Sequence, residues 1–408
     1  MQDRIAVVGG GLAGLTLALA LGRSGRSTTL VDAEPDRTDA RTTAMLGPTI
    51  DLLRDLGVWD RIAEDCAPLR TMRIVDGSRR LVRAPTVTFE AAEIGQSEFG
   101  FNVPNDRATA ALRDLIDADD SIRRVEARVH AVRVDEDKAM VVLGDGQELP
   151  HGLVVGADGS RSRVREGANI GVRQWTYPQA AVVTTFAHRM PHRDISTEFH
   201  TEHGPVTQVP LPGDRSSLVW VTEPNRAAEL ARMERSDLSA RIGERLAHIL
   251  GDVEVDGPVA AMPMKGQLAN ACTGRRVALV GEAAHAFPPI GAQGFNLTGR
   301  DIADLVSVQR DTADPGASHV TEAYERLRGR DAAVRTFFVD ALNRSLLTSL
   351  LPAQLAKAGG LAVLKASPQL RRLVMREGFS PSRVSSLTAT NVVAEGVARA
   401  RRAFTSSG

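Results

Sequence analysis

The chain has 408 residues, enough to bury a large core and to hold two or more lobes. Its 50 Lys and Arg balance 50 Asp and Glu, so no global charge argues for nucleic acid or an acidic partner. Cys66 and Cys272, far apart, suit a reducing compartment, exclude a disulfide framework, and read as small buried apolar residues rather than catalytic thiols.

A strand is expected at residues 4–8, so close to Met1 that no leader peptide fits before it. No apolar run reaches the roughly 18 residues of a membrane span. Gly9-Gly10-Gly11-Leu12-Ala13-Gly14 follows the strand, and an alanine-rich helix continues over 15–21. Gly9, Gly11 and Gly14 spell GxGxxG in strand–turn–helix context, which predicts a bound dinucleotide. Leu12 and Ala13 belong to the same phosphate-binding turn. A second strand over 28–31 ends at Asp32, where the ribose-binding carboxylate is expected; Glu34 is the rival acid.

The loop 39–45 precedes a helix over 50–56, which Gly57 closes. Another helix is expected over 108–116. Residues 125–134 and 140–143 alternate around turns and predict a β-meander. An apolar strand over 152–157 then stops at Asp158-Gly159-Ser160. From 182 to 264 the texture changes to short strands over 182–186, 196–200, 206–211 and 217–222, with a helix over 238–250. This predicts an antiparallel lobe inserted into the parallel part. His188, His192, His200 and His203 fall there without metal spacing.

Residues 277–280 form another buried strand, ending at Gly281-Glu282, again where doubly wound folds bind ligands. Pro288-Pro289 stiffens the next stretch and removes backbone donors. Gly291, Gln293, Gly294 and Asn296 open a helix running through 300–305, and their amides suit an anion or a flavin edge. One early GxGxxG with one late strand-end acid argues for FAD over NAD as the resident dinucleotide.

These segments together resemble the single-component FAD-dependent aromatic hydroxylases, the class A flavoprotein monooxygenases. The nearest likeness is to the ubiquinone-biosynthesis hydroxylases. The resemblance implies an α/β fold: a Rossmann-like FAD-binding domain of the p-hydroxybenzoate hydroxylase kind, interrupted by an antiparallel substrate domain. On this chain the FAD-binding parts are expected at 1–75, 99–178 and 266–345, the substrate parts at 76–98 and 179–265, and C-terminal helices at 346–408. It implies that Arg41, Arg107, Asp158 and Gly159 face the cofactor, with Asp158 also tied to the reduced nicotinamide. The family writes Gly-Asp where this chain has Gly281-Glu282. Pro288 and Pro289 would wall the flavin ring, with Gly291, Gln293, Gly294, Phe295 and Asn296 at its edge. His285 is expected either as a proton shuttle or as a structural histidine bonded to backbone. The implied reaction uses FAD, NADH or NADPH as electron donor, and O2. No side chain can activate O2 for attack on an arene, and a flavin can, which accounts for the lack of a hydrolytic triad or a carboxylate pair.

The implied substrates are a polyprenylated phenol or quinone precursor, or else a small soluble aromatic acid. A flavin reductase without oxygen insertion is the third reading. A halogenase is disfavoured, since Trp59, Trp175 and Trp220 stand in no Trp-x-Trp-x-Ile-Pro motif. Residues 346–408 hold nine Lys and Arg against two acids, interleaved with leucines. That pattern suits a membrane surface or a lipid-carrying partner, and equally a helix packed on the cofactor domain with a solvated basic face. The expected location is cytoplasmic or peripheral to the inner face of the membrane; the oligomeric state is open.

Overall fold

The apolar β-branched runs become adjacent parallel strands. The computed structural model describes residues 4–33, 39–78, 83–288, 294–347 and 351–379. In it Val277–Leu279, Leu153–Gly156, Ile5–Val8, Thr28–Asp32 and Ile122–Glu126 pair side by side in that order, all parallel. The short Thr273–Gly274 strand runs antiparallel at one edge. Ile5–Val8, Leu153–Gly156 and Val277–Leu279 read as unbroken hydrophobic runs because the middle of the sheet is buried on both faces. The Leu12–Arg23 helix packs between Asn105–Asp117 and Gly294–Gln309, and the long Ser318–Leu347 helix lies on the latter.

The stretch 125–134 is not one arm of a meander. Ile122–Glu126 pairs with Thr28–Asp32, the chain breaks at Ala127 and Arg128, and the Ala127 amide donates to the Asp32 carbonyl. Only Val129–Val134, Ala139–Leu143 and Glu148–His151 form the meander. A parallel edge strand with one wet face alternates as a hairpin strand does, so its pattern could not separate the two.

The second sheet is mainly antiparallel. In spatial order it runs His285–Ala286, Ala260–Ala269, Val172–His188, Arg215–Thr222, Gly204–Leu211, Ile195–Thr201, Thr71–Asp76 and Val87–Glu90, with Val253–Val255 beside Val172–His188. The pair Ile195–Thr201 and Thr71–Asp76 is parallel. The strand expected over 182–186 is the middle of a 17-residue strand. The helix expected over 238–250 is Arg235–Arg245, and Pro224–Arg232 precedes it. Both helices cover one face through Leu230, Leu238 and Ile242 against Phe186, Leu218 and Trp220. The edge strand His285–Ala286 belongs to the segment between Gly281 and the Gly294–Gln309 helix, so the parallel and antiparallel sheets share one stretch of chain.

Helices Leu351–Ala366 and Pro368–Phe379 close over the Val87–Glu90 end of this second sheet, not simply over the parallel domain. Met375 is buried with Leu46, Phe89 and Phe99, and Arg371 grips Glu93 through three contacts of 2.7–3.0 Å. Cys66 and Cys272 are both buried, and burial pushes the Cys66 thiol up to about 12. Among the described residues no helix is long and apolar enough to cross a membrane.

Candidate functional site

The parallel strands deliver their carboxyl ends to one rim. Gly9 there has φ +119°, a left-handed value that only glycine adopts freely, and a Cβ would strike the Ala157 carbonyl. A Cβ on Gly14 would strike the Gly9 carbonyl, and one on Gly10 the Asp32 carboxylate. The need for Gly10 was not visible from the motif. Gly11 is different: a Cβ there would meet nothing within 4 Å. The loop is therefore packed on every side but one, and the open side lies at the free amides of Leu12, Ala13 and Gly14 that begin the helix.

Asp32 is 2% exposed. One carboxylate oxygen accepts from Arg124 Nε at 3.2 Å, and the other is buried with no partner among the described residues. Glu34, its rival, lies outside the described residues. Asp158 repeats the arrangement: Oδ2 accepts from the amides of Arg163 and Val164 at 2.7 and 3.3 Å, while Oδ1 is buried and unpartnered among the described residues. Gly159 beside it turns with φ +78°. Arg113 reaches the Gly10 carbonyl at 3.4 Å through Nη2, and its buried Nε has no partner among the described residues. Unpaired buried oxygens cost free energy unless something bonds them. The set fits FAD: Asp32 for the adenosine ribose, and Gly11 with the helix amides for the pyrophosphate. Asp32→Ala removes a charge-assisted acceptor worth roughly 1.5–3 kcal/mol, so FAD affinity should fall about tenfold or more in a fluorescence titration. Unchanged affinity would shift the role to Glu34 or remove it.

Arg41 and Asp39 form a two-point ion pair at 2.7 and 2.8 Å. Burial opposes ionisation of Asp39, but hydrogen bonds from Arg41 and Asn105 hold it below the ordinary carboxylate range. Arg41 is also within electrostatic reach of Glu282, which brings the early loop to the late one. Arg107 is mostly exposed, and the structure pairs it with Asp65 at 3.7 Å. The link from that helix to the glycine loop runs instead through Arg113, and Asn105 is its buried polar residue facing Thr43 and Asp39.

The late segment is anchored from beneath. Gly281 donates its amide to Asp301 Oδ2 at 3.0 Å, and His285 Nε2 meets the same oxygen at 2.7 Å. Arg328 Nε donates to Asp301 Oδ1 at 2.8 Å and also reaches Asp331 and Asp304. His285, Asp301 and Arg328 are each at most 3% exposed. Burial disfavours the Asp301 charge, yet His285, Arg328 and the Gly281 amide keep its carboxyl below the ordinary range. So His285 bonds a carboxylate rather than backbone, with its ring stacked on Phe287. Asp301 had a signal in the sequence: it shares a helix face with Leu297 and Leu305, where an acid needs a buried partner. Nothing local marked Arg328.

Gly281 turns with φ +62°, and a Cβ there would touch Ala13 and Thr298, so the late turn rests against the first turn of the dinucleotide helix. The Glu282 side chain is exposed, and its carbonyl accepts from Gln267 at 2.8 Å. Asn296 uses its amide within the protein: Oδ1 accepts from the Leu46 amide and the Thr49 hydroxyl, and Nδ2 donates to the Ala44 carbonyl. It ties the helix start to the Thr42–Leu46 strand. Phe295 packs on the cofactor-domain core, Gly294 is exposed at the helix start, and Pro288 is buried. Pro289, Gly291 and Gln293 lie outside the described residues.

The antiparallel sheet meets this rim through Ser217, whose hydroxyl bonds Thr42 and Asn102 at 3.0 and 3.1 Å. The sheet face opposite the two helices is thus turned to the cofactor domain. It carries a small apolar cluster of Tyr177, Ala181, Val221 and Met264. The lobe's histidines bond locally, His188 to Ser216, His192 to the Leu211 carbonyl and His200 to Glu198. No group among the described residues could hold a metal ion.

A family model described as "FAD binding domain" matches residues 3–330. The chain is similar to the ubiquinone hydroxylase UbiL of Rhodospirillum rubrum, 35% identical over 92% of this chain and 90% of that one. It is similar also to the 3-demethoxyubiquinol 3-hydroxylase of Escherichia coli, 30% identical over 91% and 97%. Among solved structures, p-nitrophenol 4-monooxygenase from Pseudomonas putida shares the fold, with a TM-score of 0.76 at 19% identity, over 93% of this chain and 98% of that one.

Proposed function

This chain belongs to the FAD-binding-domain family, among its ubiquinone hydroxylases, and we propose that it hydroxylates the ring of a polyprenylated phenol or quinone precursor. The carrying observation is likeness to ubiquinone hydroxylases over nine-tenths of both chains, joined to a rim whose unpaired Asp32 and Asp158 oxygens suit FAD. Bound FAD, reduced by NADH or NADPH, supplies the activation of O2 that side chains lack. The chain's own work is placement. Asp32, Gly11 and the helix amides hold the dinucleotide; Asp301 fixes the Gly281 turn; the buried Pro288 offers no amide proton beside the reacting face; the apolar sheet face excludes water. His285 serves as a positioning residue, because its Nε2 is committed to Asp301.

An insoluble prenyl substrate needs a surface to be drawn from. On the Pro368–Phe379 helix Leu370, Leu373 and Val374 are exposed in one stripe, with Val363 exposed on the helix before it. Lys365, Arg372 and Arg376 are exposed around them. Arg371 is committed to Glu93, and the Lys357 side chain lies outside the described residues. Apolar side chains ringed by cations favour an anionic membrane surface at the cytoplasmic side. Each base contributes about 1 kcal/mol there, so changing these three to Gln should weaken vesicle binding about 100-fold. The test is NAD(P)H consumption with a prenylated phenol carried in anionic vesicles. The triple variant should lose that rate and keep its rate on a short-chain soluble phenol. Equal loss on both would remove the surface, and turnover of a soluble phenolic acid alone would remove the prenyl substrate.

A further inference from the structure

We infer that Gln179 is the polar group that holds the substrate's ring oxygen, an inference resting on the hydroxylase reading above. The Val172–His188 strand loses register against Ala260–Ala269 between Thr176 and Ala180. Gln179 stands in that irregularity. It is 3% exposed, and among the described residues neither its amide nitrogen nor its amide oxygen has a partner. A buried amide with both ends unbonded is destabilising, so the fold gains nothing by keeping it.

Its position gives it a use. Tyr177 and Ala181, two residues to either side, belong to the apolar cluster with Val221 and Met264. Residues two apart share a sheet face, so Val221 and Val219 lie on the side of Ser217, which bonds the cofactor domain. The opposite side is filled by Leu218 and Trp220 against the two helices. Gln179 therefore lies between two residues of the face turned to the flavin site. The neighbouring strand Ala260–Ala269 leads through Gln267 and Leu268 to His285–Ala286, just before Pro288.

The groups around Gln179 are already fixed. The Tyr177 hydroxyl accepts from Trp175 Nε1 and donates to Asp340, both at 2.6 Å. One helical turn before Asp340, Thr336 is likewise buried, its hydroxyl unpartnered among the described residues. An apolar face bearing a neutral donor and acceptor matches a phenol or quinol ring. Its hydroxyl can donate to Oε1 and accept from Nε2. A ring carboxylate would call for a cation instead. A site built to bond a hydroxyl rejects the analogue that lacks it, because its own polar atoms are then left unpaired.

The test compares a farnesylated phenol with its methyl ether, each titrated against the FAD-loaded enzyme by the change in flavin absorbance. The wild type should prefer the phenol. Gln179→Leu should weaken phenol binding about tenfold or more and bring it level with the ether. The substrate-free melting temperature should hold or rise, because an unbonded amide has gone. Gln179→Met, unbranched and of similar length, answers the same question if the Leu variant loses FAD. Either variant keeping the wild-type preference overturns the inference and leaves the hydroxylase reading standing. So does a lower melting temperature with FAD loss in both, which marks a structural amide. A wild type that binds neither probe and turns over neither sinks the hydroxylase reading and this inference with it.

Discussion

Gly11→Ala should fold as well as the wild type and still lose flavin, whereas Gly14→Val should damage the fold and the site together. Both are glycines of one motif, but their surroundings differ. A side chain at Gly14 drives into the Gly9 carbonyl, a backbone atom that cannot step aside without moving the first strand or the helix. Overpacking of that kind costs typically 1–3 kcal/mol, and more where backbone must shift. Gly11 has φ −80°, which alanine adopts freely, and its added methyl enters open space. On the reading proposed above that space is the approach of the pyrophosphate, so the methyl should cost only the bound cofactor, by about 100-fold in affinity for a displacement worth roughly 3 kcal/mol. Thermal melting of the apo forms beside FAD titration separates the two. Tight FAD binding by Gly11→Ala would place the pyrophosphate elsewhere.

Asp301→Ala should be the most damaging single change outside the glycine loop, at about 3–5 kcal/mol of stability. It strips Arg328 of one buried partner and frees both the Gly281 amide and His285. FAD content should fall with stability, since the Gly281 turn loses its anchor. The pH dependence has a definite sign. The folded carboxyl of Asp301 titrates below its unfolded value because His285 and Arg328 outweigh burial. Its contribution is therefore complete above the unfolded carboxylate range, roughly pH 4, and is lost as pH falls through the lower folded value. Acid unfolding of Asp301→Asn should accordingly be shallower than that of the wild type. A variant as stable as the wild type at pH 7, with full FAD, would show the cluster to be dispensable.

What could be read from the chain followed from how local each constraint was. GxGxxG, Asp32 and the Ala157-Asp158-Gly159 turn are strand-end features whose residues sit next to one another, and each appears at the rim. The two-lobed α/β plan was legible because apolar runs and alternating runs occupy separate stretches. Contacts set by packing were not. Asn296 has the look of a ligand residue, yet its amide is spent on Ala44, Leu46 and Thr49, about 250 residues earlier in sequence. Arg107 opens a helix as a cofactor residue would, but the helix phase exposes it and turns Asn105 and Arg113 inward. Glu282 ends its strand where an acid is expected, while the carboxylate holding that turn comes from Asp301, 20 residues past Gly281. Gln179 lay outside the strand expected over 182–186, and nothing in the sequence marked its amide, which is unbonded among the described residues.

The most direct measurement is the fate of labelled oxygen. The FAD-loaded enzyme is incubated with NADH or NADPH, a polyprenylated phenol and 18O2 in ordinary water, and the product is weighed by mass spectrometry. Hydroxylation predicts one atom of 18O on the ring of each product, with one nicotinamide oxidised per hydroxyl formed. Nicotinamide oxidation that leaves the ring unlabelled would contradict it and make the chain a flavin oxidoreductase without oxygen insertion.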